Sequence, residues 1–173
     1  PGAGIFEYCA GPSGYLWPPH AVGMNSTYHV AVMDDPGRQN NWYTRSTTWC
    51  NWDAPTQWAT PTFPTYMIAA SRASNKVCMT WVVDQASGAD PGYYRVSTDG
   101  GTSWGTITQL PYPAAYGGDS ITSFHITGLY PFYDMHDRLH IVGATMPYVA
   151  GTGYIIPADI WHWSGDNSPN WVR

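Results

Sequence analysis

One lysine (Lys76) and one glutamate (Glu7) are all that this 173-residue chain has of two residue types that ordinarily abound. Charged residues make up 11 %, against about 25 % in ordinary globular domains. The six arginines are scattered and the net charge is -5, so no basic track exists to neutralise phosphates, and nucleic acid is not an expected partner. No apolar run approaches the ~18 residues of a membrane helix, so membrane insertion is not expected either. The 3.6-residue apolar period of an amphipathic helix is missing throughout. There is no Gly-x-Ser-x-Gly elbow to raise a nucleophilic serine, no Cys-x-x-Cys pair and no helical His-Glu zinc motif. Gly100-Gly101 does not stand between a strand and a helix, so no phosphate-cradling loop is present. No cofactor is expected. The chain starts at Pro1 and shows no leader, which reads as a mature, cleaved or truncated sequence.

What the chain has is tryptophan (10), tyrosine (13), glycine (18) and proline (15). Apolar and aromatic stretches of strand length alternate with turn residues and with Pro-rich loops at 12–19, 88–91 and 111–118, the signature of an all-β domain. Ser97-Thr98-Asp99-Gly100-Gly101-Thr102-Ser103-Trp104 carries the clearest motif. Strand-like Gly92–Val96 precedes it and Gly105–Ile107 follows, so it reads as a hairpin turn with Asp99 set to accept turn N–H groups. Trp104 leaves the turn to pack on a core. Two degraded copies exist. Ser164, Asp166 and Trp171 keep their offsets without the glycine; Ser46 keeps a tryptophan one place early, at Trp52, and has lost the aspartate. An aromatic strand precedes each copy and another strand lies upstream of that.

The intact motif resembles the Asp-box, Ser-x-Asp-x-Gly-x-Thr-Trp, with Ser103 in place of threonine; this box decorates hairpins in a superfamily of sialidase-type β-propellers. On that resemblance Ser97, Asp99, Gly101, Ser103, Trp104, Ser164, Asp166 and Trp171 are framework residues. The chain parses as three repeats, 12–61, 62–119 and 120–173, each a four-stranded antiparallel meander, with 1–11 an outer strand of a neighbouring blade or simply a cut end. Three blades cannot close a ring. The expected partners are therefore further blades, in the same chain or another, together with a glycan or protein ligand.

Asp-box propellers include sialidases and several endo-acting glucanases, so hydrolysis is weighed against binding. Two carboxylates about 5–9.5 Å apart would flank the sugar bond. Glu7 is terminal, which leaves Asp35 and Asp84, at the ends of equivalent strands, as the best pair; both also read as ordinary loop openers. An arginine cluster is imaginable from Arg38, Arg45, Arg72, Arg95 and Arg138, but none sits in a matching motif and no catalytic residue is carried over. Arg45 and Arg95 look like framework. Asp134, His136 and His140 have ligand-like spacing for zinc or calcium, against the plainer reading of a polar strand connection.

Binding has the stronger candidates, since flat aromatic side chains on loops stack on sugar rings or anchor protein partners. These are Tyr15 and Trp17, Trp49, Trp52 and Trp58, and Tyr112 and Tyr116; their plainer role is to seal long loops onto the blades. The expected function is thus a non-catalytic propeller segment, secreted or at the cell surface, binding glycan or protein or contributing to a surface assembly. Part of a glycoside hydrolase, and a structural subunit of a filament or sheath, are the alternatives. Asn25-Ser26-Thr27 is a sequon. Cys78, in an apolar strand, reads as core; Cys9 and Cys50 are the more plausible bridge in an extracellular setting.

Overall fold

The structure, a computed structural model, describes residues 15–16, 20–34, 40–48, 51–59, 65–83, 89–113, 122–149, 152–153, 159–167 and 171–172. They form three antiparallel sheets with only two short 3-10 turns beside them. Cys9, Cys50 and the segment 1–11, expected as an outer strand or a cut end, lie outside the described residues.

The first sheet holds β1 (Tyr15–Leu16), β2 (His20–Val22), β3 (Tyr28–Asp34), β4 (Asn41–Thr48), β5 (Asn51–Trp52) and β6 (Thr56–Ala59). β1 and β2 both pair with β3, and β5 and β6 both pair with β4, so the six pieces occupy four strand positions, two of them interrupted. The second sheet runs β7 (Tyr66–Ala70), β8 (Val77–Val82), β9 (Gly92–Ser97) and β10 (Thr108–Gln109) in chain order. The third has β11 (Thr122–Tyr133), β12 (Leu139–Val149), β13 (Thr152–Gly153) and β14 (Asp159–Ser164), with Val172 bridging to His162 beyond β14. Each is a blade-like meander, here blades I, II and III. β11 runs on past Leu129: Tyr130, Pro131, Phe132 and Tyr133 pair with Val142 back to Leu139. Pro131 is tolerated because β11 is an edge strand of its sheet, where a missing N–H costs no ladder bond.

Two cores join the blades. Between I and II, Ala31, Met33 and Tyr43 meet Tyr66, Ile68, Val77, Met79 and Trp81. Between II and III, Val82 and Leu110 meet Phe124, Leu129, Ile141 and Trp163. β8 is buried at every position because a blade covers each of its faces, which explains its unbroken run Val-Cys-Met-Thr-Trp-Val. Cys78 is fully buried there and burial pushes its thiol pKa up. Backbone contacts also cross between blades: Thr80 Oγ1 donates to Leu129 O at 2.5 Å, and Phe124 N donates to Asp90 O at 3.3 Å. Gly92 is glycine because a Cβ there would lie 2.6 Å from Leu129 Cδ1 of blade III.

Candidate functional site

In a meander, successive connections alternate between two rims. The turns 23–27, 71–76 and 134–138, with the 97–101 turn, share one rim. Asp137 Oδ1 of blade III accepts from Ser71 Oγ at 2.5 Å and Ser74 Oγ at 2.9 Å, and its Oδ2 pairs with Lys76 Nζ at 2.8 Å. These contacts hold the Asp137 carboxyl below its usual pKa against the cost of its desolvation. Between blades I and II, Arg45 Nη1 donates to Gly100 O and Thr102 Oγ1. His29, Arg45, Ser74, Lys76, Asp99 and Gly100 line a polar cavity of about 190 Å³ at this junction.

The 97–104 turn is closed by its own side chains. Asp99 Oδ1 accepts from Ser103 N and Ser97 Oγ, both at 2.8 Å, and Asp99 Oδ2 accepts from Ser103 Oγ at 2.5 Å. Ser97 Oγ accepts from Gly101 N at 2.8 Å. The Ser103 hydroxyl and N–H, then Ser97, bring the Asp99 carboxyl down to about 2. Trp104 packs edge-on to Tyr43 at 5.0 Å, and Arg95 donates to the carbonyls of Trp104 and Gly105. Gly100 and Gly101 have φ of 67° and 82°. A Cβ on Gly101 would sit 1.7 Å from Tyr43 Oη, so Gly101→Ala combines left-handed strain with a clash. It is expected to cost at least ~2 kcal/mol, read as a fall in the urea midpoint with m unchanged.

The other two copies of the motif differ in geometry. At Ser46 the strand continues to Thr48 and turns at once into β5, with Thr44 Oγ1 donating to Asp53 O and Arg45 Nε to Asp53 Oδ2. At Ser164 the chain enters a 3-10 turn, Gly165–Asn167, and the exposed Asp166 lies 3.6 Å from Arg138. Trp171 packs on Phe124 at 5.6 Å and donates Nε1–H to Pro111 O.

Asp134, His136 and His140, whose spacing is ligand-like, lie in and just after the 134–138 turn. Asp134 Oδ1 accepts from the N–H of His136 and of Arg138, and Oδ2 pairs with Arg138 and with His140 Nε2 at 3.2 Å. This carboxylate closes its own turn, and the Arg138 N–H leads in lowering its pKa. His140 Nδ1 meets His162 at 2.8 Å, while the side chain of His136 is exposed. Among the described residues no group of three metal-ligating side chains converges.

The opposite rim carries the strand ends. Tyr15 pairs with Asp34 there, and Asn41 pairs with Ala59, next to Trp58. Asp34 accepts from Asn40 N and Nδ2, both at 2.9 Å, and Asn40 Oδ1 accepts from Gln57 Nε2 at 2.9 Å. The residues Asp35, Asp84, Trp17, Trp49 and Tyr116 lie outside the described residues. Trp52 does not share a platform with Trp58: it pairs with Ser46, whereas Trp58 lies beside Asn41, about five residues or ~17 Å along β4. Tyr112 is part of the core, stacked on Phe124 at 5.6 Å with its hydroxyl donating to Ala89 O. The Asp34–Asn40–Gln57 chain and the His29–Tyr43 bond, 2.8 Å between Nδ1 and Oη, had no sequence motif to announce them. Asn25, in the sequon, is exposed.

No family model matches the chain, and no curated protein matches it. Solved structures do. A xylan β-1,4-xylosidase from Bacillus halodurans is similar over 92 % of this chain and 31 % of that one, at 14 % identity and a TM-score of 0.49. A Hadza microbial sialidase is similar over 91 % of this chain and 36 % of that one, at 10 % identity and a TM-score of 0.55. The chain therefore spans about a third of the length of either. In fold it is three blades of a β-propeller that do not close a ring.

Proposed function

We propose that this chain is part of a non-catalytic propeller, secreted or displayed at the cell surface, that binds glycan on its strand-end rim. The observation that carries this reading is the Asp34–Asn40–Gln57 chain of hydrogen bonds on that rim of blade I, at strand ends where Tyr15 pairs with Asp34 and Trp58 follows Gln57 in β6. Amides beside aromatic residues are the polar and flat apolar groups that a sugar ring requires. The 97–104 turn is read as an Asp-box, and with the clasp at Asp137 it holds the scaffold from the other rim.

A second reading, part of a glycoside hydrolase completed by residues outside this chain, draws on the likeness in fold to a sialidase. Both are tested by calorimetric titration with defined oligosaccharides beside assays on fluorogenic sialosides and xylosides. Binding without turnover, weakened at least tenfold by Trp58→Ala, is the expected result. Turnover abolished by Asp35→Asn or Asp84→Asn would transfer the assignment to the hydrolase; neither binding nor turnover would remove both readings.

A further inference from the structure

The cavity between blades I and II is lined by hydrogen-bonding groups that the fold itself leaves unused. His29 is 2 % exposed and its Nδ1 is bonded to Tyr43 Oη, yet its Nε2 has no partner among the described residues. A buried ring nitrogen in that state calls for one. Nε2 lies over Gly23, where a Cβ would come within 3.0 Å of it; with φ at −93° the backbone there suits any residue, so glycine serves to keep the space beside the ring open. Arg45 uses Nε on Asp53 and Nη1 on Gly100 O and Thr102 Oγ1. Both N–H groups of its Nη2 are left without an acceptor among the described residues. Lys76 Nζ gives two of its three N–H groups to Asp137. The side chains of Thr27 and Asn75 bond to no other described residue, and Asn75 is held in place by its carbonyl, which accepts from Gly100 N at 2.8 Å.

Charge and volume narrow the ligand. Arg45 is paired with Asp53 and Lys76 with Asp137, so both cations are already neutralised. Asp99, whose oxygens accept from Ser97 and Ser103, adds a negative charge to the wall. An anion would meet that carboxylate, and a cation would meet Arg45 and Lys76. What the wall offers is a mixed set: N–H donors on Arg45, Lys76 and Asn75, an acceptor on the Asn75 amide, and a Thr27 hydroxyl that does both. A neutral molecule carrying several hydroxyl groups matches it, because each hydroxyl donates once and accepts well from a charged N–H. About 190 Å³ is below the ~300 Å³ at which drug-sized pockets begin, so the cavity admits one sugar ring and not a chain.

We propose that this cavity is a second binding site, for one neutral monosaccharide residue, free or at the end of a glycan. Its hydroxyls accept from Arg45 Nη2, Lys76 Nζ and Asn75 Nδ2 and donate to Asn75 Oδ1. The site joins Thr27, His29 and Arg45 of blade I to Asn75 and Lys76 of blade II, so the ligand ties the two blades together. It lies on the turn rim, opposite the strand-end rim, and stands independently of glycan binding there.

The test is hydrogen–deuterium exchange of the whole protein, read by peptide mass spectrometry, during titration with D-xylose, D-galactose and lactose. Inorganic phosphate and D-glucuronate serve as anionic probes. Saturable slowing of exchange in peptides covering 23–29, 71–76 and 97–101 is expected with the neutral sugars and not with the anions. Lactose against galactose separates a chain end from a free ring, and saturation by either supports the site. Asn75→Ala and Thr27→Val are each expected to raise the half-saturating concentration about fivefold, the worth of one hydrogen bond. Thermal midpoints are expected to stay unchanged, since neither side chain bonds within the fold. Slowing confined to the peptides holding Asn40 and Gln57 would overturn this proposal and leave the strand-end reading standing. Saturation by the anions alone, no saturation by any probe (a cavity that holds water only), or full binding by both variants would overturn it as well.

Discussion

Phe124→Ala is expected to destabilise the chain more than any other single truncation, by ~3–5 kcal/mol. Phe124 is fully buried at the junction of blades II and III, stacked on Tyr112 and packed on Trp171. Its removal empties a ring-sized volume lined by Gly92 and Leu129 on facing blades, and neither side can collapse without moving a sheet. For a chain of this size the cost corresponds to a fall in Tm of roughly 8–15 °C. Phe132→Ala is the counterpart. Phe132 has the same chemistry and lies on the same strand, but it is 44 % exposed, on the open face of blade III, and in the isolated 173-residue chain its loss is expected to cost under ~1 kcal/mol. Thermal unfolding of the two variants side by side checks the assignment of faces; equal losses would mean that the open face is covered by the chain itself.

Acidification is expected to produce the second large effect, through His29. Its ring is buried between blades I and II, and burial, followed by the nearby Arg45, lowers its pKa from 6.5 to about 4. In the unfolded chain the imidazole takes up a proton near pH 6.5; in the folded chain it does so only near pH 4. Between those values the unfolded state binds more protons, so stability is full above pH 6.5, declines as the pH falls to about 4 and levels off below. A shift of that size corresponds to ~3 kcal/mol. Asp99, with its pKa at about 2, contributes in a separate and lower window, losing its stabilising effect as the pH falls from about 3.8 to about 2. His29→Gln keeps a polar partner for Tyr43 and removes the titration. Urea midpoints measured from pH 7.5 to 4 are expected to flatten in this variant; an unchanged slope would show that other groups carry the acid sensitivity.

The sequence made the blades legible where local chemistry and tertiary role agree. The continuous apolar run of β8 could only be a strand covered on both faces, and Ser97-x-Asp-x-Gly closes its turn with side chains that lie within the turn itself. At Asp134 and His140 ligand-like spacing is also turn spacing: a carboxylate two and four residues ahead of free N–H groups satisfies them without an ion. Trp52 and Trp58 are close in sequence, but the interrupted strand β5–β6 runs along the blade edge and carries them to opposite ends. Tyr112 looked like a loop aromatic, yet its ring is captured by Phe124, a residue of the next blade that no local pattern could pair with it. The open face of blade III was hidden for a related reason. Tyr130, Phe132, His140 and His162 belong to three strands, and only the register of those strands makes them a surface.

Native mass spectrometry of the protein from its natural source, beside its denatured mass, tests the open three-blade account most directly. The account predicts a particle heavier than 19.1 kDa, either as a longer polypeptide containing further blades or as an assembly of chains. A monodisperse 19.1 kDa monomer that binds no apolar dye would contradict it, because the face formed by Tyr130, Phe132, Ile160 and Val172 would then be stable in water without a partner.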